Sequence, residues 1–450
     1  MNGSKTTPSE SSVTRRDFLK TTSTAVAGAS MLGSLSVERS AFAAGSDTLK
    51  IALIGCGGRG SGAADQALST EGSVKLVAMA DVFKDRLDGS LNSLQEKHKG
   101  KVEVPPDHQF VGFDAYKQAI ALADVVILAS PPGFRPPHFE EAVKAGKHIF
   151  AEKPVATDAP GVRRVLAAAE EAKRKNLKVG IGLQRHHRAC YLEGVQRIHD
   201  GAIGDVVAMR CYWDGQTPWV KPRADLERHA GRKLTEMEYQ MRNWYYFAWI
   251  CGDHIVEQHI HNLDVVNWVK KGYPVRAQGM GGCEVRKGPD YGEIFDHHFV
   301  EFEYADGSRC ASQCRHIPGC WSNVTEHFIG SKGTAELADP DRAIIRGANA
   351  WRYRRPESPK DAYQQEHDDL FAAIRSDKSY NEAENGAKST MTAILGRMCT
   401  YSGKMIEWEE ALNSKINLMP DTLAWDAEPK VLPDSNGNYK IPVPGQTICV

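Results

Sequence analysis

The sequence predicts an α/β protein with two folded parts: a leading doubly wound domain on a parallel sheet, then a domain with a mostly antiparallel sheet. Three observations predict it. Short β-rich apolar runs near residues 51–54, 74–80, 124–129 and 147–151 alternate with helical stretches, as βαβ units require. A glycine-rich turn joins the first run to the first helix. Beyond residue 200 the pattern changes to alternating stretches such as Val206 to Tyr212, Phe299 to Tyr304 and Ser308 to Gln313, suited to a sheet with one covered face.

The length of 450 residues leaves room for two or three domains at about 150 residues each. Hydrophobic residues make up 41% and charged residues 25%, a globular mixture that excludes wholesale disorder and fibrous architectures. Lys and Arg total 56 against 57 Asp and Glu, so the chain has no global attraction for nucleic acid or anionic membrane. No run of about 18 apolar residues occurs, so no membrane span is expected. Ten cysteines are too sparse for a disulfide-stapled scaffold.

The first residues read as an address. Arg15-Arg16-Asp17-Phe18-Leu19-Lys20 precedes a weakly apolar stretch to Leu35, and Ala41 and Ala43 then flank Phe42 in a small-residue cleavage pattern. A charged start, a short apolar middle and a small-residue exit define a secretory signal, and the paired arginines mark the twin-arginine type. Residues 1 to 44 are therefore expected to be a leader, and the mature chain periplasmic or otherwise exported. All ten cysteines lie beyond it.

Lys50-Ile51-Ala52-Leu53-Ile54 then leads straight into Gly55-Cys56-Gly57-Gly58-Arg59-Gly60, followed by a helical stretch and a second strand ending at Asp81. Each piece has a physical task in dinucleotide binding. Gly55 permits the tight turn, Gly57 lets the backbone approach a pyrophosphate, and Gly60 lets helix and strand pack closely. Gly58 and Arg59 open the helix, whose free N–H groups and partial positive charge suit phosphates. Asp81 is placed to accept ribose hydroxyls, which favours NAD; nearby Lys84 softens that preference, so NADP is not excluded.

Later strand ends converge on the same crevice, because ligands of open parallel sheets collect at the carboxyl ends of strands. Ser130 and Pro131 follow the third run, Glu152 and Lys153 the fourth, and Gln184 the next strand, at Lys178 to Leu183. His138, near the start of a helix, is a further candidate cofactor contact, with a plain surface position as the alternative. The expected domain limits are residues 47–175, 176–417, and an arm at 418–450.

Here the chain resembles the Gfo/Idh/MocA oxidoreductases, which act on sugars and cyclitols. The resemblance rests on the doubly wound opening followed by Ala145-Gly146-Lys147-His148-Ile149-Phe150-Ala151-Glu152-Lys153-Pro154, and it extends from about Leu49 to Trp408. It implies a Rossmann domain plus a second α/β domain with a large open sheet that supports dimers or tetramers, a bound NAD, a carbohydrate substrate, and a catalytic role for Lys153. It also implies that His367 faces the pocket.

The segment Asp253 to Asp264 holds three histidines and three carboxylates and reads as one helix with an apolar face. Glu257 and His261 are four apart, so their side chains should meet, raising the imidazole's basicity as a general base requires. The family's matching segment ends in Asp-x-x-x-His; here Glu257 is one methylene longer, and His261 keeps the histidine position. A metal reading, with Glu257 and His261 or His254 and Gln258 as ligands, remains an alternative that no other part of the chain supports, and no metal is expected. Cys310, Cys314 and Cys320 match no common zinc spacing and are expected to be buried free thiols. Trp213, Trp219 and the run Trp244-Tyr245-Tyr246-Phe247 with Trp249 offer either a sugar-stacking floor or core packing.

Export constrains the chemistry. Outside the cytoplasm there is little free NAD, so a tightly held dinucleotide, loaded before departure and reset in each cycle, is expected. That suits a sugar oxidoreductase with a second substrate, a redox-neutral NAD-dependent glycoside hydrolase, or an epimerase. The complete Glu-Lys-Pro favours the first. A nucleotide-bearing protein without turnover is the alternative from another class.

Overall fold

The computed structural model describes residues 48–450, besides Met1, so the expected leader at residues 1 to 44 lies outside the described residues. A six-stranded parallel sheet opens the described chain: β1 (Leu49–Ile54), β2 (Val74–Asp81), β3 (Gln109–Val111), β4 (Val125–Leu128), β5 (His148–Ala151) and β6 (Val179–Ile181), in the order β3-β2-β1-β4-β5-β6. Helices α1 (Gly58–Leu68), α2 (Lys84–Lys97), α3 (Ala115–Leu122), α4 (Arg135–Lys144) and α5 (Ala159–Arg174) form the crossovers. A strand buried on both faces must be apolar throughout, and β1 shows how it is shared. Ala52 and Ile54 join one core cluster while Ile51 and Leu53 join the other, since successive side chains point to opposite faces.

The strand order reverses between β1 and β4, which opens a crevice at their carboxyl ends. The short β3 was not expected, and β6 extends the sheet past the expected limit at residue 175. Helix α5 begins where Asp158 caps it by accepting from Gly161 N at 2.8 Å, with proline in the first turn and Lys173 and Arg174 in the last. Its buried stripe is Val162, Val165, Ala168, Ala169 and Ala172.

The second sheet has nine strands: β7 (Val206–Gly215), β8 (Arg276–Gly282), β9 (His297–Glu303), β10 (Arg309–His316), β11 (Asn323–Gly330), β12 (Gly333–Ala338), β13 (Arg342–Gly347), β14 (Trp351–Arg352) and β15 (Ile406–Glu407). Their order is β14-β13-β12-β11-β7-β10-β9-β8-β15. Every pairing is antiparallel except β7 with β10, so the sheet is mixed rather than uniform. Helix α6 (Ala189–His199) packs near β12 and β13. An insertion after β7 carries α7 (Arg223–Ala230), α8 (Glu236–Arg242) and α9 (Ala248–Cys251), and leads into α10 (His254–Glu257) and α11 (Ile260–Lys270). Three late helices, α12 (Ala362–Arg375), α13 (Ala383–Ser402) and α14 (Trp408–Asn413), complete the described helices. Helices α11 and α13 cover one face of the sheet, where Met391, Ile394 and Val265 share a core with Val300 and Phe302. The other face leaves Val207, Met280, Phe299 and Ile329 exposed.

Tyr245, Tyr246, Phe247 and Trp249 are core residues, and the arm beyond residue 418 packs Met419, Leu423, Val431 and Tyr439 against them. Cys310 and Cys314 are buried free thiols as expected; Cys320 is free but exposed, because it lies in the turn after β10.

Helix α12, although late in sequence, packs on α1 and on the turn at Gln184–His187. His187 ties it down: Nδ1 lies 2.6 Å from Asp369 and Nε2 3.3 Å from Glu382. Burial opposes a charge on His187, but those carboxylates outweigh it and hold its pKa up at about 10. A raised folded-state pKa stabilises fully below the unfolded value of about 6.5, and the benefit disappears as pH rises through the folded one. His187→Gln is therefore expected to lower the melting temperature at pH 6, by about 2 to 4 °C per kcal/mol lost, with the gap closing by pH 10.5. A gap that stays constant across that range would disprove the charge contribution.

Candidate active site

The chain leaves β1 at Gly55 with φ +93°, where a Cβ would lie 2.3 Å from Ser130 N and 2.5 Å from Ala129 C. A Cβ on Gly60 would lie 1.9 Å from Gly55 O. These two positions must be glycine for the turn and the helix to close. Gly57 and Gly58 differ, because a Cβ on either meets nothing within 4 Å. Their backbone faces open space at the N-terminus of α1, which has no side-chain cap. Unpaired N–H groups there form a cradle of the right kind for a phosphate. Asp81 holds the turn by accepting from Cys56 N at 2.6 Å and from Phe83 N at 2.8 Å. Burial raises its pKa, against those N–H groups and Arg86.

The crevice above this turn measures about 690 Å³. Gly55, Gly57, Gly58, Arg59, Gly60, Asp81, Ser130, Pro131, Glu152, Lys153 and Gln184 all lie along it, with Glu257 and His261 from the second sheet's side. His138 does not. Its ring is buried behind the wall, 3.1 Å from Ser130 Oγ and 4.1 Å from the Tyr116 ring, so it props Ser130 rather than facing the crevice. Burial lowers its pKa to about 3, so it is neutral. His367 is likewise hidden, its ring packed at a tilt 4.1 Å from that of Phe150. Arg59, on the crevice, pairs with Glu152, with Glu366 at 3.7 Å.

The expected contact between Glu257 and His261 is not made. The segment is two helices, and at their junction His259 N bonds back five residues to His254 O at 3.1 Å. That wider turn shifts the register, a local feature common at functional sites. Its anchor is the buried His259, whose Nε2 lies 2.7 Å from Ser312 Oγ on β10. Glu257 is thereby aimed at Lys153: Nζ donates to Glu257 O at 2.5 Å and to Oε1 at 3.2 Å. His261 stands free of a carboxylate, its ring 5.9 Å from Trp213. Burial first, then the Lys153 and Arg185 charges, push its pKa well below the usual histidine value. The imidazole is neutral rather than more basic. Its Nδ1 is buried without a partner, so Nε2 is the nitrogen the crevice reaches.

Several residues on or behind the crevice wall had no clear signal in the sequence. Arg135 is fully buried and donates to Ser130 O at 2.6 Å and to Pro154 O, joining two strand-end loops. Arg185 pairs with Glu326 and with Asp339 at 3.2 Å, and lies 6.0 Å from the Trp213 ring. Asp339, Tyr363, Lys221 and Arg242 line the crevice as well, and Gln258 does so from the segment before His261. Trp213, Trp219 and Trp244 line the crevice, which separates them from the core aromatics. Among the described residues, the carboxylate and imidazoles that come together are Asp253, His254 and His298, within 4.8 Å of one another, not the pairs the helical spacing proposed. Asp253 also accepts from Tyr401 OH at 2.6 Å and Phe295 N at 3.0 Å, a web that anchors the start of α10.

A phosphate cradle at the reversal point of a parallel sheet, an acidic residue at the end of its second strand, and an amine and an imidazole on the same crevice define a dinucleotide-dependent oxidoreductase. Residues 49–181 match the Gfo/Idh/MocA oxidoreductase family, described by its NAD-binding Rossmann fold. The inositol 2-dehydrogenase of Rubrobacter xylanophilus is 24% identical over 304 residues, 67% of this chain and 74% of that protein. Two solved structures share the fold over 80% of this chain and 99% of theirs. They are a scyllo-inositol dehydrogenase from Lactobacillus casei with bound NAD(H) and scyllo-inositol (TM-score 0.59, 21% identity), and an aldose-aldose oxidoreductase from Caulobacter crescentus (TM-score 0.63, 18% identity). No described helix is long and apolar enough to cross a membrane.

Proposed function

We propose that this protein is an exported, NAD-dependent oxidoreductase that oxidises a secondary hydroxyl of a sugar, glycoside or cyclitol while keeping its dinucleotide through many turnovers. The observation that carries the reading is the meeting of Lys153, Glu257 and His261 on the crevice that holds the phosphate cradle. When bound, the dinucleotide supplies a nicotinamide that takes the hydride. The remaining tasks belong to the chain. Gly57 and Gly58 present their backbone to the pyrophosphate, and Asp81 has lone pairs left for the ribose. Lys153 Nζ, held by Glu257, is a donor for the substrate oxygen. His261 Nε2, neutral, accepts the hydroxyl proton. Trp213, Trp219 and Trp244 give the apolar face of a sugar ring somewhere to lie. The polyols in the names of the relatives support that substrate class.

Retention has a physical basis. Arg242 bridges the crevice to Asp85 with two bonds of 2.8 and 3.0 Å and covers the Phe83 ring at 3.7 Å. Trp425 of the arm packs on Phe83 at 5.2 Å and on Phe113 at 4.8 Å. The exposed apolar side chains on the second sheet's open face support a homodimer or tetramer.

Native mass spectrometry of the mature protein is expected to show bound nucleotide. A panel of free sugars and cyclitols should then change the nicotinamide absorbance. Aglycone release from aryl glycosides without net reduction would replace this reading with the hydrolase one; protein purified empty, with ready exchange of added NAD, would end the claim of retention. Because His261 is already neutral, turnover is expected to show no limb centred near pH 6.5 between pH 5.5 and 7.5. A limb there that vanishes in His261→Asn would contradict the neutral imidazole.

A further inference from the structure

We infer that the cavity beneath the C-terminal arm is a second ligand site, in which Arg397 and Glu293 hold the carboxylate and the ammonium of a small α-amino acid with an aliphatic side chain. The cavity measures about 390 Å³ and shares no lining residue with the crevice.

Helix α13 contributes Arg397, Met398 and Tyr401 to the lining, and the arm contributes residues between Lys440 and Cys449. Much of the wall is aliphatic, with Met398, Leu418, Val431, Ile441 and Val443 on it. Such a wall suits the apolar part of a ligand. The volume lies at the small end of ligand sites, which run from about 300 to 1,000 Å³.

Two charged side chains are set into that wall, Arg397 at 4% exposure and Glu293 at 6%. Among the described residues Arg397 has no ion-pair partner, and its guanidinium makes one hydrogen bond, from Nη1 to Gly252 O at 2.9 Å. Glu293 Oε1 accepts from Ala248 N at 2.9 Å, while Oε2 is buried with no hydrogen-bond partner. Burial, with repulsion from Asp253, pushes the Glu293 pKa up to about 7, against the Ala248 N–H and the Arg397 charge. The other polar groups on the wall are already engaged or solvated. Asp158 accepts from Gly161 N and Leu418 N, both at 2.8 Å, and Tyr401 OH donates to Asp253 at 2.6 Å. Lys440 is exposed. A buried guanidinium and carboxyl with unused hydrogen-bonding capacity are unfavourable unless something completes them. Together the two are neutral, so a lone anion would meet Glu293 and a lone cation Arg397. An α-amino acid carries both charges on neighbouring atoms. Its carboxylate suits the planar guanidinium fork, its ammonium suits the carboxyl, and its side chain is left for the aliphatic wall.

The test is titration calorimetry on the mature protein as purified, with three probes that share one skeleton: leucine, 4-methylpentanoate (no amine) and 3-methylbutylamine (no carboxylate). Leucine is expected to bind at least about tenfold more tightly than either of the others, and to raise the melting temperature. Glu293→Gln keeps the shape and the bond from Ala248 N. It should weaken leucine by about 10- to 100-fold, the worth of one charge-assisted hydrogen bond, and leave 4-methylpentanoate within about threefold. Arg397→Lys loses the fork and should weaken leucine and 4-methylpentanoate alike. Melting curves check that both variants are folded, and the three probes on the wild type decide the matter if they are not. No binding of leucine up to about 10 mM would overturn the site. So would 4-methylpentanoate binding as tightly as leucine, or leucine affinity unchanged in a folded Glu293→Gln protein, because the carboxyl would then hold no ammonium.

Discussion

Lys153→Met is expected to lower turnover by about 10²- to 10⁴-fold while nucleotide remains bound, because a positioned proton donor or acceptor is worth that much. The substitution keeps the length and the apolar stem of the side chain and removes only the ammonium that reaches Glu257. Glu257→Gln should cost less, since it weakens the hold on Lys153 without removing the group that meets the substrate. Single-turnover absorbance of the nicotinamide on each variant separates the chemical step from product release. A Lys153→Met protein that oxidises its sugar within threefold of the wild type would remove the amine from the mechanism.

Gly60→Val is the second large effect. The 1.9 Å approach of a Cβ to the Gly55 carbonyl cannot be relieved by a side-chain rotation, because both partners are backbone. The turn must open, and with it the phosphate cradle. NAD affinity is expected to fall by at least about 100-fold, with a loss of stability from the displaced helix. Gly57→Ala makes the informative comparison. Its backbone conformation, φ −74°, suits alanine, and its Cβ meets no protein atom. This variant should melt close to the wild type yet bind NAD more weakly, since the added methyl occupies the space a phosphate would use. Equal melting and equal binding for both variants would show that nothing approaches the turn.

The parts of the molecule that could be read from the sequence are those in which local pattern and tertiary role coincide. β1, the glycine turn, α1 and Asp81 form one local unit, in which sterics alone dictate glycine at positions 55 and 60. Lys153 was legible because a strand end places it on the crevice. Glu257 and His261 show the limit. Four-residue spacing makes neighbours only on a continuous helix, and the wide turn around His259 is caused by Ser312, far along the chain. His138 and His367 were equally opaque, since whether a histidine faces a crevice or the wall behind it depends on packing partners such as Tyr116 and Phe150.

The packing of α12 on α1 also sets an order of events during synthesis. Just over three hundred residues separate Arg59 from Tyr363, whose ring its guanidinium covers at 4.9 Å. Contacts so distant in sequence close late. A ribosome-bound chain that has only finished its first sheet has the glycine turn but lacks the helix that backs it. Nucleotide capture should therefore wait until the polypeptide is almost fully made, which ties cofactor acquisition to completion of the whole fold.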